Sequence, residues 1–214
     1  MENLYIFSGL GADKRVFKYL DFSKYNATFI DWINPFETES IEDYAKRLTT
    51  QITSENPTLI GLSFGGIMAV EVGKIIESKK IILIASAKSK NEIPFYYRFA
   101  GFFNLHKLIP AKLMKKSNYL SFWFFGIDSK ENKILLKEIL KDTDETFLKW
   151  AIDKIVNWKN TYIHKNLKHI HGTKDRILPI QFVKSYVKIV DGGHFMTIDK
   201  FEELNIVLEN SIKN

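Results

Sequence analysis

Residues Gly61-Leu62-Ser63-Phe64-Gly65-Gly66 constrain this chain more than any other stretch. A strand-like run, Pro57 to Leu62, leads into them, and a helix-like run, Ile67 to Glu77, leads out. GxSxG at a strand-to-helix turn is the sequence form of a nucleophile elbow. The small residues have a steric reason. The turn drives Ser63 into a strained backbone conformation, and only small neighbours let strand and helix approach closely enough. The Ser63 hydroxyl is then expected to stand clear of the sheet, above a helix N-terminus that favours negative charge. The five-residue pattern also arises by chance, so its place between strand and helix gives it weight.

Periodicity supplies the surrounding architecture. Short β-branched or aromatic runs occur at Asn3–Ser8, Asn26–Asp31, Thr58–Leu62, Lys80–Ala85, Asn166–His171 and Tyr186–Val190. Several are apolar at consecutive positions, as in strands buried on both faces of a parallel sheet. Helical patterns separate them. One spans Ile41 to Ile52, capped by Ser40, with Ile41, Tyr44, Ala45, Leu48 and Ile52 on one face. Another runs from Met196 to Ile212. The alternation predicts an α/β fold with a mainly parallel sheet of about six strands flanked by helices.

Between Glu92 and Thr161 the alternation stops. Only helical patterns and many aromatics occur there, including Phe95, Tyr96, Tyr97, Phe99, Phe102, Phe103 and the run Phe122-Trp123-Phe124-Phe125. A helix is expected over Thr143 to Trp158, with Asp142 and Glu145 in capping-box spacing. The segment reads as a helical cap (lid) inserted above the sheet's C-terminal edge, where ligands of such sheets bind. The resulting division is core 1–91, cap 92–161 and core 162–214. Ordinary core helices whose aromatics only fill volume are the plainer reading.

Two more motifs carry chemistry. His171-Gly172-Thr173-Lys174-Asp175-Arg176-Ile177-Leu178-Pro179 follows the fifth strand, and Asp191-Gly192-Gly193-His194-Phe195 follows the sixth. The chain order is therefore Ser63, Asp175, His194. That order resembles the α/β-hydrolase superfamily, in its serine hydrolase branch, over nearly the whole length. Two departures stand out. The two strands that usually open the family core are missing, and Ser8-Gly9-Leu10-Gly11 replaces the common His-Gly. The resemblance implies strand order 2-1-3-4-5-6, with a crevice where strands one and three diverge. It also implies roles. Ser63 would be the nucleophile, His194 its general base, and Asp175 the group that orients the imidazole. The backbone N–H groups of Leu10 and Phe64 would form the oxyanion hole. Asp175 as a turn cap and His194 as a helix-start residue are the structural alternatives.

The remaining composition bounds the function. Cysteine is absent, which removes disulfides, thiolate metal sites and a cysteine nucleophile. His169 and His171 share a strand face at a spacing zinc could use, but no third ligand accompanies them, so neither metal nor cofactor is expected. Arg98 could meet a substrate carboxylate, although a solvated position suits it better. The formal charge of +6 is spread among 25 acidic residues, so no nucleic-acid partner is expected. No apolar run is long enough for a membrane span, and a cytoplasmic location is the default expectation. The aromatic cap predicts a small or medium hydrophobic substrate, cleaved at an ester or related acyl bond. A thioesterase or C–C bond hydrolase would use the same three residues, and a ligand-binding, receptor-like protein with little turnover would keep them. Family branches that hydrolyse epoxides or haloalkanes carry Asp where this chain has Ser63. Oligomeric state and the substrate-binding residues are not legible.

Overall fold

The computed structural model describes residues 1–214. Six strands form one all-parallel sheet in the order β2-β1-β3-β4-β5-β6: β1 Asn3–Phe7, β2 Asn26–Ile30, β3 Thr58–Leu62, β4 Lys80–Ile84, β5 Leu167–Gly172 and β6 Val187–Ile189. The expected strand order and all six expected strands are present, each within two residues of its anticipated ends. Chain direction reverses across the sheet at β1 and β3, which opens the crevice between their C-terminal ends.

Side-chain alternation divides the core in two. Tyr5, Phe7, Leu59, Ile81 and Leu83 face one hydrophobic cluster; Leu4, Ile6, Ile60, Leu62, Ile82, Ile84 and Ile170 face the other. The period of two in a strand dictates that split. On the first face lie α1 (Ile41–Leu48) and α2 (Phe64–Val72). The segment between β4 and β5 contains helices and no strand: α3 (Phe95–Phe102), α4 (Ala111–Met114), α5 (Tyr119–Phe125), α6 (Lys130–Asp142) and α7 (Glu145–Val156). Its last two helices separate. Phe147, Trp150 and Ala151 of α7 join the first cluster, whereas Leu135, Leu136 and Ile139 of α6 join the second. After β6, α8 (Met196–Asp199) and α9 (Phe201–Lys213) complete the second face.

Three helix boundaries differ from the periodic reading. The helix starting at Ile41 ends at Leu48 and continues only as a 3-10 turn. The final helix breaks at Lys200, whose φ of −125° lies outside the helical range. The α7 N-cap is Asp144, which accepts from Phe147 N–H at 2.7 Å, not Asp142. Asp142 instead ends α6 and pairs with Arg15 at 2.8 Å. Both carboxylates could cap a helix locally, and packing of α6 against the sheet decided between them. Ser40 does cap α1, as expected, accepting from Asp43 N–H at 3.0 Å.

On β5, His169 and His171 are buried and their rings contact edge to face. Neither nitrogen of His169 has a hydrogen-bond partner. Burial, with the neighbouring His171 and Lys88 charges, pushes the His169 imidazole down to about 3. His171 is also lowered, burial outweighing the opposing pull of Asp175. Both groups therefore bind a proton less readily folded than unfolded. Their contribution to stability is fully present above the ordinary histidine value of 6.5 and is lost as pH falls below it, where the unfolded chain gains protons. Each such proton adds a slope of about 1.4 kcal/mol per pH unit. Urea unfolding below pH 6.5 should therefore show a shallower pH slope in His169→Gln, by about one proton; an unchanged slope would mean that His169 is charged in the fold.

Candidate active site

The turn between β3 and α2 places Ser63 in the left-handed half of backbone space, at φ 52° and ψ −120°. Such a conformation in a non-glycine residue costs on the order of 1–3 kcal/mol and persists only where its surroundings hold it. Here both peptide groups are tied. Ser63 N–H donates to Ile84 C=O at 2.9 Å, and Ser63 C=O accepts from the Ser86 hydroxyl at 2.6 Å and from Gly66 N–H at 2.9 Å. The neighbouring glycines permit the approach. A Cβ on Gly61 would fall on the Gly65 carbonyl, and one on Gly65 would fall on the Phe7 and Ser8 carbonyls at the end of β1.

His194 reaches the same point from the far edge of the sheet. It follows Asp191, itself left-handed at φ 58°, in the loop after β6. That loop is stitched to the one after β5: Thr173 N–H donates to Ile189 C=O at 3.0 Å and Lys174 N–H to Gly192 C=O at 2.9 Å. Gly172 has no room for a side chain, because a Cβ there would meet the Gly192 carbonyl. Phe125, at the end of α5, accepts from Phe195 N–H at 3.2 Å, and its ring lies 5.8 Å from the His194 ring.

These loops bring Ser63, Asp175 and His194 into one hydrogen-bonded line. His194 Nε2 lies 2.8 Å from Ser63 Oγ, and His194 Nδ1 lies 2.7 Å from Asp175 Oδ2. Asp175 is almost fully buried, as is His194, while Ser63 stays partly exposed. The other Asp175 oxygen, Oδ1, accepts from Ile177 N–H at 2.9 Å and Leu178 N–H at 2.8 Å. Burial alone would raise this carboxyl. The His194 ring, the His171 ring and the backbone donors more than offset it and hold Asp175 below the usual carboxylate range. The carboxylate is therefore charged, and it fixes the proton of His194 on Nδ1, leaving Nε2 as an acceptor toward the Ser63 hydroxyl.

Two neighbours, Ser86 and Trp32, had no signal in the sequence, and a third, His171, stood out only as a strand histidine and not as a partner of Asp175. Ser86 clamps the elbow carbonyl from the end of β4. Trp32 donates from its indole to Gly9 C=O at 3.2 Å, pinning the loop after β1, and stacks at 5.5 Å on Phe64. His171 points its Nε2 at Leu178 C=O, 2.8 Å away, and at Asp175 Oδ2, 3.4 Å away. Each depends on chain segments that meet only after folding. Leu10 and Phe64, expected as paired N–H donors, occupy the loop after β1 and the first position of α2. The Phe64 amide starts a helix, where N–H groups lack intrahelical acceptors. Arg98 is exposed on α3. A cleft of about 320 Å³ sits at the opposite end of the strands, near Ser78, Lys79 and His164.

The close approach at Gly65 is testable. Gly65→Ala should destabilise the fold by about 3 kcal/mol or more in urea unfolding, because its Cβ meets backbone that cannot swing aside. A change below about 0.5 kcal/mol would mean that α2 can retreat freely from β1.

Neither a family model nor a curated protein matches this sequence. Solved structures do match it by shape. A hydrolase from Oleispira antarctica superposes with TM-score 0.72 at 15% identity, covering 100% of this chain and 92% of that one. A thermophilic esterase from Thermogutta terrifontis gives 0.71 at 14% identity, with 100% and 90% covered. A bromoperoxidase from Bacillus anthracis gives 0.69 at 15% identity, with 100% and 92% covered. With its all-parallel sheet, flanking helices and elbow, the chain has the α/β-hydrolase fold.

Proposed function

We propose that this protein is a serine hydrolase that cleaves an ester or related acyl bond of a small or medium hydrophobic substrate. One observation carries the reading: a strained, partly exposed serine hydroxyl 2.8 Å from an imidazole whose other nitrogen is 2.7 Å from a buried carboxylate. Backbone strain held in place by its surroundings clusters at functional positions. The esterases and hydrolases among the structural neighbours support the same class, although likeness at this identity carries the fold alone.

In this mechanism Ser63 Oγ attacks the substrate carbonyl carbon while its proton passes to His194 Nε2. The carbonyl π pair moves onto oxygen, and the oxyanion is met by the N–H groups of Phe64 and Leu10. Collapse expels the alcohol oxygen, which takes the proton from His194 Nε2 and leaves an acyl group on Ser63. Water then attacks that acyl carbon and gives its proton to His194. Collapse of the second intermediate returns the proton to Ser63 Oγ and releases the acid. Asp175 stays ionised and stabilises the imidazolium in both halves. Helices α3 to α5 would act as the lid over this rim, with Phe125 set against His194. A thioester or an activated C–C bond would pass through the same steps.

Two substitutions test the reading. Ser63→Ala should lower hydrolysis of nitrophenyl esters by about 10⁴-fold or more and abolish covalent labelling by a fluorophosphonate, with the fold retained. Asp175→Asn should cost about 10⁴-fold in kcat, because the imidazole would adopt the wrong tautomer. Retained activity in the serine variant, or an unchanged kcat in Asp175→Asn, would remove these residues from the chemistry. Labelling without turnover would favour a ligand-binding role.

A further inference from the structure

The region between β4 and α6 carries an unusual combination of charge and exposure. From Ile93 to Ile127 there is no Asp or Glu, yet Arg98, Lys107, Lys112, Lys115 and Lys116 all fall within it. These five supply nearly all of the formal net charge of +6, so the rest of the molecule is close to neutral. The same stretch exposes its large apolar side chains. Phe99, Phe102, Leu108, Leu113, Tyr119 and Leu120 are each more than half exposed, from 58% to 83%. On α3 the amphipathic pattern is inverted. Phe95, Phe99 and Phe102 form one stripe that faces solvent, and the small Gly101 is the residue pressed against the Val156 carbonyl of α7.

Exposed apolar surface on this scale marks an interaction face. We infer that this face docks on an anionic lipid bilayer surface, the aromatic and aliphatic side chains entering the interfacial layer and the lysines meeting lipid phosphates. Charge selects that occupant. Arg98, Lys112 and Lys116 have no carboxylate partner within the chain, and the whole stretch from Ile93 to Ile127 holds no acidic side chain to offset them, whereas the unpaired lysines elsewhere lie among the 25 acidic residues. A two-fold face between copies would set these cations against their own copies and repel. A nucleic acid would leave Leu108, Leu113 and Leu120 unused, since they offer no ring on which a base can stack. Basic residues interleaved with Phe, Leu and Trp at a bilayer interface use both features. The docking end also adjoins the candidate site, because α5 ends at Phe125, 5.8 Å from the His194 ring. The inference goes beyond the hydrolase reading and does not depend on it.

The test is co-flotation of the full chain with vesicles of phosphatidylcholine alone, and with about 30% phosphatidylserine, at low and high salt. Binding should favour the anionic vesicles by at least about tenfold, weaken in high salt, and shift Trp123 fluorescence to the blue. Lys112→Glu with Lys116→Glu should reduce that binding by about tenfold or more, and Phe102→Ser with Leu108→Ser should do likewise. Both variants should keep the wild-type urea-unfolding midpoint, so that lost binding reports the surface and not the fold. Ser63→Ala protein should bind as wild type does, which separates this inference from the catalytic reading. No vesicle binding, or equal binding to neutral and anionic vesicles, would overturn it. So would self-association relieved by Phe102→Ser with Leu108→Ser, which would assign the face to a second copy. Binding of a single-stranded oligonucleotide in place of vesicles, weakened by the same charge reversals, would overturn it as well.

Discussion

The left-handed backbone of Ser63 is the constraint on which the rest of the site depends. A serine gains nothing by adopting φ 52° in isolation. It stays there because β3 must turn at once into α2, and because Ile84, Ser86 and Gly66 hold both adjoining peptide groups. The glycines at 61 and 65 are the other half of the same arrangement. They let the helix lie against the ends of β1 and β3, where any Cβ would meet backbone oxygen. The consequence is positional. Tight packing behind the serine leaves its hydroxyl directed toward the rim, within reach of His194.

Electrostatics at that rim follows from depth. Asp175 is buried and would be unstable as an isolated charge. Two backbone donors and two imidazole rings surround it, which keeps it ionised. His171 extends this arrangement beneath the carboxylate. Its Nε2 faces both Leu178 C=O and Asp175, so it contributes a donor without carrying a charge. The line Ser63, His194, Asp175, His171 thus runs from the partly exposed rim into the sheet, and only its outer end meets solvent.

The helices inserted after β4 serve two ends. Helices α6 and α7 are structural, since each supplies one of the two hydrophobic layers. Helices α3 to α5 leave many of their rings outside, Phe95, Phe99, Phe102 and Tyr119 among them, while Tyr97, Phe122 and Phe125 pack against the core. One inserted segment thereby completes the core and presents an unusual surface beside the elbow.

Much of this was legible in the sequence, for a physical reason. Parallel strands buried on both faces leave uninterrupted apolar runs, and a strained strand-to-helix turn leaves glycines on either side of its serine. Both signals are local, so strand positions and the strained turn at Ser63 could be read from the residues, while the strand order and the grouping of Asp175 and His194 with Ser63 came from the resemblance to the α/β-hydrolase pattern. Other features were decided by tertiary structure. Asp142 and Asp144 are equivalent caps until α6 is packed. Ser86, Trp32 and His171 have meaning only beside chain segments distant in sequence. The aromatics of α3 illustrate the limit best: periodicity reveals that a helix has an apolar face, but only the position of its neighbours determines whether that face turns to the core or to the solvent.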